Sequence, residues 1–155
     1  MPSLKLTHHP QKYQSDCLPA CAWMILTHFG INIRYRRLMR TLRAGEDGTP
    51  FHNLELLTQF KKSIQVKVGY EYIDPMGLVE NYVTSGLPIV VAVDTEYLPY
   101  WDESTAHAVV VAGIDSTRIS LYDPWFDEAP KTVERVQFES TWLERDYLYG
   151  VIQIQ

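Results

Sequence analysis

The segment Gln11-Lys-Tyr-Gln-Ser-Asp-Cys17-Leu-Pro-Ala-Cys21-Ala-Trp-Met-Ile-Leu26 sets a cysteine at the mouth of a helix. Ser15 or Asp16 is suited to cap that helix, and Pro19 is tolerated in the first turn because the early N–H groups have no intrahelical partner. Leu18, Cys21, Ala22, Ile25, Leu26 and Phe29 recur at helical spacing, and Gly30 is placed to end the run. The pattern predicts a buried helix with Cys17 at its tip and Cys21 one turn further in, among apolar neighbours. The thiolate is the reactive form of cysteine, and a helix N-terminus beside an imidazolium favours it. Cys17 is therefore the candidate nucleophile and Cys21 a core residue. Four residues apart on one helix, they suit two reduced thiols better than a disulfide.

A nucleophilic thiol needs a base, and the base an orienting acid. His107 opens the run His-Ala-Val-Val-Val-Ala-Gly, which puts its ring at the rim of a buried strand. Asp123 follows the strand-like Ile119-Ser-Leu-Tyr122 and precedes Pro124. Strands turning at Asp115-Ser116 would form a hairpin that returns Asp123 to His107, where it could bond the imidazole and fix its tautomer. Asp102 and Asp127 are the other acids considered for that role. A side-chain amide just before the nucleophile could help the Cys17 N–H hold an oxyanion; Gln11 and Gln14 both qualify, and spacing alone does not choose.

The remaining pattern predicts helices over about Tyr35 to Leu42, Phe51 to Lys62, Pro75 to Thr84 and Phe138 to Glu144. Strands are expected over Ile64 to Tyr70, Ile89 to Val93, His107 to Ile114, Arg118 to Tyr122 and Leu148 to Ile154, with a long Tyr- and Trp-bearing loop from Asp94 to Ala106. Helices first and strands later imply one α+β domain over residues 1–155, a helical N-terminal half packed on an antiparallel β-sheet half. The cleft between the halves would bring Cys17 towards His107.

A net charge of -5 argues against a nucleic-acid partner. The basic cluster Arg34, Arg36, Arg37, Arg40 and Arg43 also holds Leu38 and Leu42, so it reads as a solvated helix face. No apolar run is long enough to span a bilayer, and Met1 to Gln11 lacks the core of an export signal, so the cytoplasm is the expected compartment. His8-His9 reads as a surface pair. Cys17, Cys21 and the histidines lack a second Cys-x-x-Cys or His-x-x-x-His partner, so no metal is expected. Without a Gly-rich phosphate loop, no nucleotide cofactor is expected either.

These residues together resemble the papain-like bacteriocin-processing peptidases, which cut after double-glycine leaders and often precede ABC transporters. The likeness rests on the Gln before Asp16-Cys17, Pro19-Ala20 and the apolar helix, Gly48-Thr49-Pro50, Gly86-Leu-Pro-Ile, His107-Ala-Val-Val-Val-Ala-Gly-Ile and Tyr122-Asp123-Pro124. The resemblance implies a papain-like fold and assigns Cys17, His107 and Asp123 the catalytic roles in that order. It also selects Gln11, six before the cysteine, as the oxyanion-hole glutamine. Family members usually carry Gly after the nucleophile, where this chain has Leu18. The chain ends at Gln155 without membrane helices or a nucleotide-binding domain, which leaves an exporter partner open. The expected partner is a peptide or protein substrate with a flexible tail, cut after small residues. Tyr97-Leu-Pro-Tyr-Trp101 is expected to shape the substrate cleft. The alternatives are an isopeptidase or acyl transferase using the same three residues, a catalytically silent peptide-binding module, and a small zinc-binding domain.

Overall fold

The computed structural model describes Met1 and residues 3–155. Helix α1 (Cys17–His28) is followed by α2 (Tyr35–Thr41) and a 3-10 helix (Phe51–Gln59). Then come β1 (Ile64–Tyr70), α3 (Pro75–Thr84), β2 (Ile89–Asp94), a 3-10 turn (Thr95–Tyr97), β3 (Ala106–Ile114), β4 (Arg118–Tyr122), β5 (Lys131–Glu134), α4 (Arg135–Leu143) and β6 (Leu148–Ile154). The strands make one antiparallel sheet in the order β1-β6-β2-β3-β4-β5.

The two-residue period of the strands separates two cores. Ala108, Val110 and Ala112 of β3 face the layer made by α1, α2 and the 3-10 helix. Val109 and Val111 face the layer containing Met76, Val79 and Val83 of α3, and Phe138 and Trp142 of α4. β2 divides in the same way, with Val90 on the first side and Ile89, Val91 and Val93 on the second. The expected α+β architecture therefore has helices on both faces of its sheet, and the near-continuous apolar runs of β2 and β3 are what a strand buried on both sides requires.

Residues 51–59 form a 3-10 helix, whereas helical spacing alone suggested an α-helix reaching Lys62. Phe51, Leu54, Leu57 and Phe60 recur every third residue, and a 3-10 helix stacks such positions along one edge. Leu54 and Leu57 are fully buried on that edge. Strand β5 was not expected. Only Val133 of its four residues is buried, too short an alternation to read from sequence. Its Glu134 starts α4 by a capping box with Gln137, so the helix begins at Arg135 rather than near Phe138.

Candidate active site

Helix α1 begins at Cys17, and the preceding loop is folded by a buried carboxylate. Asp16 accepts the backbone N–H groups of Lys12 (3.1 Å) and Tyr13 (2.9 Å) and the Tyr35 hydroxyl (2.5 Å). Asp16 stands at the cap position, but its side chain makes no cap bond to the helix. The expected cap is thus corrected: Asp16 reaches back into the loop instead of forward. Cys17 is half-buried at the helix tip, while Cys21 is fully buried, with its thiol against the Ala108 carbonyl. Burial pushes the Cys21 pKa well up, which leaves it a poor nucleophile.

Asp115 accepts the N–H groups of Thr117 and Arg118 and so closes the β3–β4 hairpin. That hairpin carries Asp123, just past β4, back to His107 near the start of β3. His107 Nε2 lies 2.7 Å from Asp123 Oδ1; His107 is 8% exposed and Asp123 is 0% exposed. Burial opposes the imidazolium, but the bond to Asp123 and the nearby Cys17 outweigh it and raise the His107 pKa to about 9. Burial also opposes the Asp123 anion. Its bond to His107, the His107 charge, the Trp101 indole and the Trp125 N–H together hold it below the usual carboxylate range. With Nε2 committed to Asp123, Nδ1 is the imidazole nitrogen left for Cys17.

Cys17 and His107 share a cleft of about 470 Å³. Leu18, the loop Asp47–Phe51 and Arg145 also border it. Ala92, Ala106 and Ala108 line its sheet side, with Ala92 opposite Ala108 and Asp94 opposite Ala106 in the β2–β3 register. Sequence reasoning missed these alanines. The signal was present as Ala every second residue around His107, where a strand otherwise rich in valine leaves space on one face.

Gln11 sits in the loop before the nucleophile. Its N–H binds the Pro124 carbonyl (2.7 Å), tying that loop to the one after Asp123. Its Nε2 donates to the carbonyls of Tyr13 (2.8 Å) and Gln14 (3.0 Å). Asp102 and Asp127 are exposed, and neither bonds His107.

Two expectations are overturned. Tyr100 and Trp101 do not line the Cys17 cleft: the Tyr100 hydroxyl and the Trp101 indole N–H each donate to Asp123 Oδ2 at 2.9 Å. The Trp101 ring also meets His107 edge-on, with centroids 4.9 Å apart. They turn that way because the carboxylate is fully buried and its second oxygen needs donors. The His8-His9 pair is not a free surface pair either. His8 bonds the Phe126 carbonyl at 2.7 Å, and His9 lies between Tyr35 (4.4 Å) and Trp23 (4.6 Å). Apolar ring faces are what half-bury His9 and lower its pKa.

The profile of the Peptidase C39 family matches residues 5–146. Among solved structures, a C39-like peptidase from Bacillus anthracis superposes with a TM-score of 0.75 at 15% identity, over 96% of this chain and 94% of that one. The peptidase domain of Streptococcus ComA, a bifunctional ABC transporter of a quorum-sensing pathway, gives 0.75 at 20% identity, over 97% and 98%. A double glycine motif protease from an AMS/PCAT transporter, solved with its leader peptide, gives 0.73 at 15% identity, over 97% and 93%. No curated protein sequence is a significant match. The helices and the six-stranded antiparallel sheet thus form the papain-like fold of these peptidase domains.

Proposed function

Since the chain belongs to the Peptidase C39 family, we propose that it is a cysteine peptidase that cuts a flexible peptide or protein tail after a small residue. The observation that carries this reading is the buried His107–Asp123 pair at 2.7 Å, on the cleft that also holds Cys17. Cys17 Sγ, ionised by proton transfer to His107, attacks the scissile carbonyl. The carbonyl oxygen becomes an oxyanion beside the Cys17 N–H, a first-turn group with no intrahelical acceptor. His107 Nδ1 gives its proton to the leaving amine as the C–N bond breaks, leaving a thioester on Cys17. Water then attacks the thioester while His107 takes its proton, releasing the acid and restoring the thiol. Asp123 holds Nε2–H throughout and stabilises the imidazolium.

Gln11 is the proposed second oxyanion donor. To reach the oxyanion, its amide must exchange one of its two loop carbonyls for the developing charge, an interaction gained only in the transition state. Losing such a donor costs about 10²–10³-fold in kcat. Gln11→Ala should therefore lose far more turnover than Gln14→Ala; a larger loss at position 14 would reverse the assignment. A leader-type substrate is the reading that two of the structural neighbours support, one solved with a leader peptide and the other a transporter's peptidase domain. Hydrolysis of a Gly-Gly-containing peptide, followed by mass spectrometry, tests the whole reading. The Cys17→Ala variant should bind that peptide and leave it intact, and cleavage that survives this substitution would remove Cys17 as nucleophile.

A further inference from the structure

The Asp123 carboxylate accepts from four donors and faces no acceptor among the groups that bond it. Oδ1 takes His107 Nε2 (2.7 Å) and the Trp125 N–H (3.0 Å), and Oδ2 takes Tyr100 Oη (2.9 Å) and Trp101 Nε1 (2.9 Å). A carboxylate fully removed from solvent stays ionised only where such donors replace its hydration. Two of the four come from one dipeptide in the loop entering β3, only six and seven residues before His107 in the chain. That loop is anchored from both sides. Leu98 is buried in the second core, and Tyr100 packs edge-on against Phe126 (5.3 Å), with the Lys131 ammonium over both rings.

Resting on the peptidase reading above, we propose that Tyr100 and Trp101 are positioning residues of the catalytic apparatus: they clamp Asp123 Oδ2 so that Oδ1 is presented, ionised, to His107 Nε2. Neither side chain lines the Cys17 cleft; Tyr100 acts through Asp123, and Trp101 acts through Asp123 and through its edge-on contact with the His107 ring. The clamp does two things. It fixes the rotation of the carboxylate, and hence the Nε2–H tautomer that leaves Nδ1 to Cys17. It also draws charge onto Oδ2, which keeps the acid dissociated well into the acidic range. The other titratable groups around Asp123 are His107 itself, Cys17 beyond it, the buried Cys21 thiol, and Lys131 across the Tyr100 ring. Lys131 lies over the Tyr100 ring and Cys21 is neutral, so beside His107 and the Trp125 N–H the two aromatic donors are the groups that bond the carboxylate directly.

The variants Tyr100→Phe, Trp101→Phe and their combination test this, with Tyr97→Phe as a control in the same loop; Tyr97 is partly exposed and makes no bond to Asp123. Two readouts are taken on each: kcat/KM for the peptide, and the titration of the Asp123 side-chain carboxyl followed by carbon-13 NMR of the labelled protein, which needs no substrate. The Asp123 midpoint should move to higher pH, by about one unit in the double variant, while kcat/KM falls with KM nearly unchanged and Tyr97→Phe superimposes on the parent in both. Tyr100→Phe removes a single oxygen and keeps the ring, so it guards against a trivial failure to fold. An Asp123 midpoint that stays in place in the double variant overturns the proposal, whether or not turnover falls, because mere loosening of the loop lowers activity without shifting that titration. If the parent protein hydrolyses no peptide, the function above fails alone, and the Asp123 titration still decides whether the clamp holds the carboxylate.

Discussion

At the scale of single residues, Asp123 illustrates why a carboxylate and not an amide stands at this position. All four of its hydrogen-bonding neighbours are donors: His107, Trp125, Tyr100 and Trp101. An asparagine has one acceptor oxygen and one NH₂ group, so one side of it must face two donors with further donors. Turned towards the Tyr100–Trp101 side, its oxygen is satisfied there and its NH₂ points at His107, which forces the wrong tautomer. Asp123→Asn should therefore lower kcat by roughly 10⁴-fold while the fold persists, and should also pull the His107 pKa down from about 9. In the parent protein the imidazolium is favoured below that value and lost above it, so the proposed activity predicts that kcat/KM falls as pH rises through about 9. The stabilisation that His107 gains from its raised pKa is complete below its unfolded value near 6.5 and is lost as pH rises through about 9. Asp123, held low, contributes in the opposite sense: its share is present above the ordinary carboxylate range and disappears as the medium becomes acid. Thermal melting of parent and Asp123→Asn between pH 6 and 10 checks the linkage; parallel curves across that range would show that the pair stores no pH-dependent stability.

At the scale of elements, the site depends on how closely the 3-10 helix and β6 can approach. Gly150 of β6 pairs with Val90 of β2 and lies beneath the helical layer. A Cβ placed there would come within 2.6 Å of Leu54 Cδ1 and 3.1 Å of Val90 Cγ1. Leu54 is fully buried on the 3-10 helix, which continues directly from the cleft wall at Gly48–Phe51. Gly150→Ala should cost about 1–3 kcal/mol in a urea titration, and combining it with Leu54→Ala should give less than the sum of the two losses. Strict additivity would mean that the two positions do not press on one another. This contact also marks where sequence reading stops. The helix tip at Cys17 and the β3–β4 hairpin are legible because their apolar period and turn residues are local to each element, although the expected side-chain cap at Asp16 is not formed. The 3-10 helix shares its i, i+3 apolar spacing with an α-helix, so the pattern fits both. The Tyr100 and Trp101 donors are likewise illegible beforehand, because their acceptor lies more than twenty residues on, and an aromatic loop looks the same whether it lines a cleft or grips an acid.

At the scale of the whole molecule, helices pack on both faces of the sheet and leave the Cys17 cleft at the seam between α1 and the ends of β2 and β3. On that seam the cleft is lined by Ala92, Ala106 and Ala108 of the sheet, by Gly48 of the loop before the 3-10 helix and Phe51 at its start, and by Arg145, while Leu18 next to the thiol is 2% exposed and packs into the core. Since Tyr100 and Trp101 face Asp123, the large apolar side chain at the proposed substrate channel is Phe51 rather than the aromatic loop. Under the proposed peptidase function, a peptide lying over Cys17 would pass between Phe51 and the alanines, and the expected outcome is a preference for glycine or alanine immediately before the cut. Discrimination by one excess methylene against a packed wall amounts to about 1–3 kcal/mol, or roughly 10–200-fold in kcat/KM. A peptide library varied at the two positions before the cut should show that range between glycine and leucine, and Phe51→Ala should narrow it by opening the side of the cleft that Phe51 lines. Preference for large apolar or basic residues at those positions would reject the small-residue channel, while leaving the Cys17–His107–Asp123 assignment to be judged by the substitutions above.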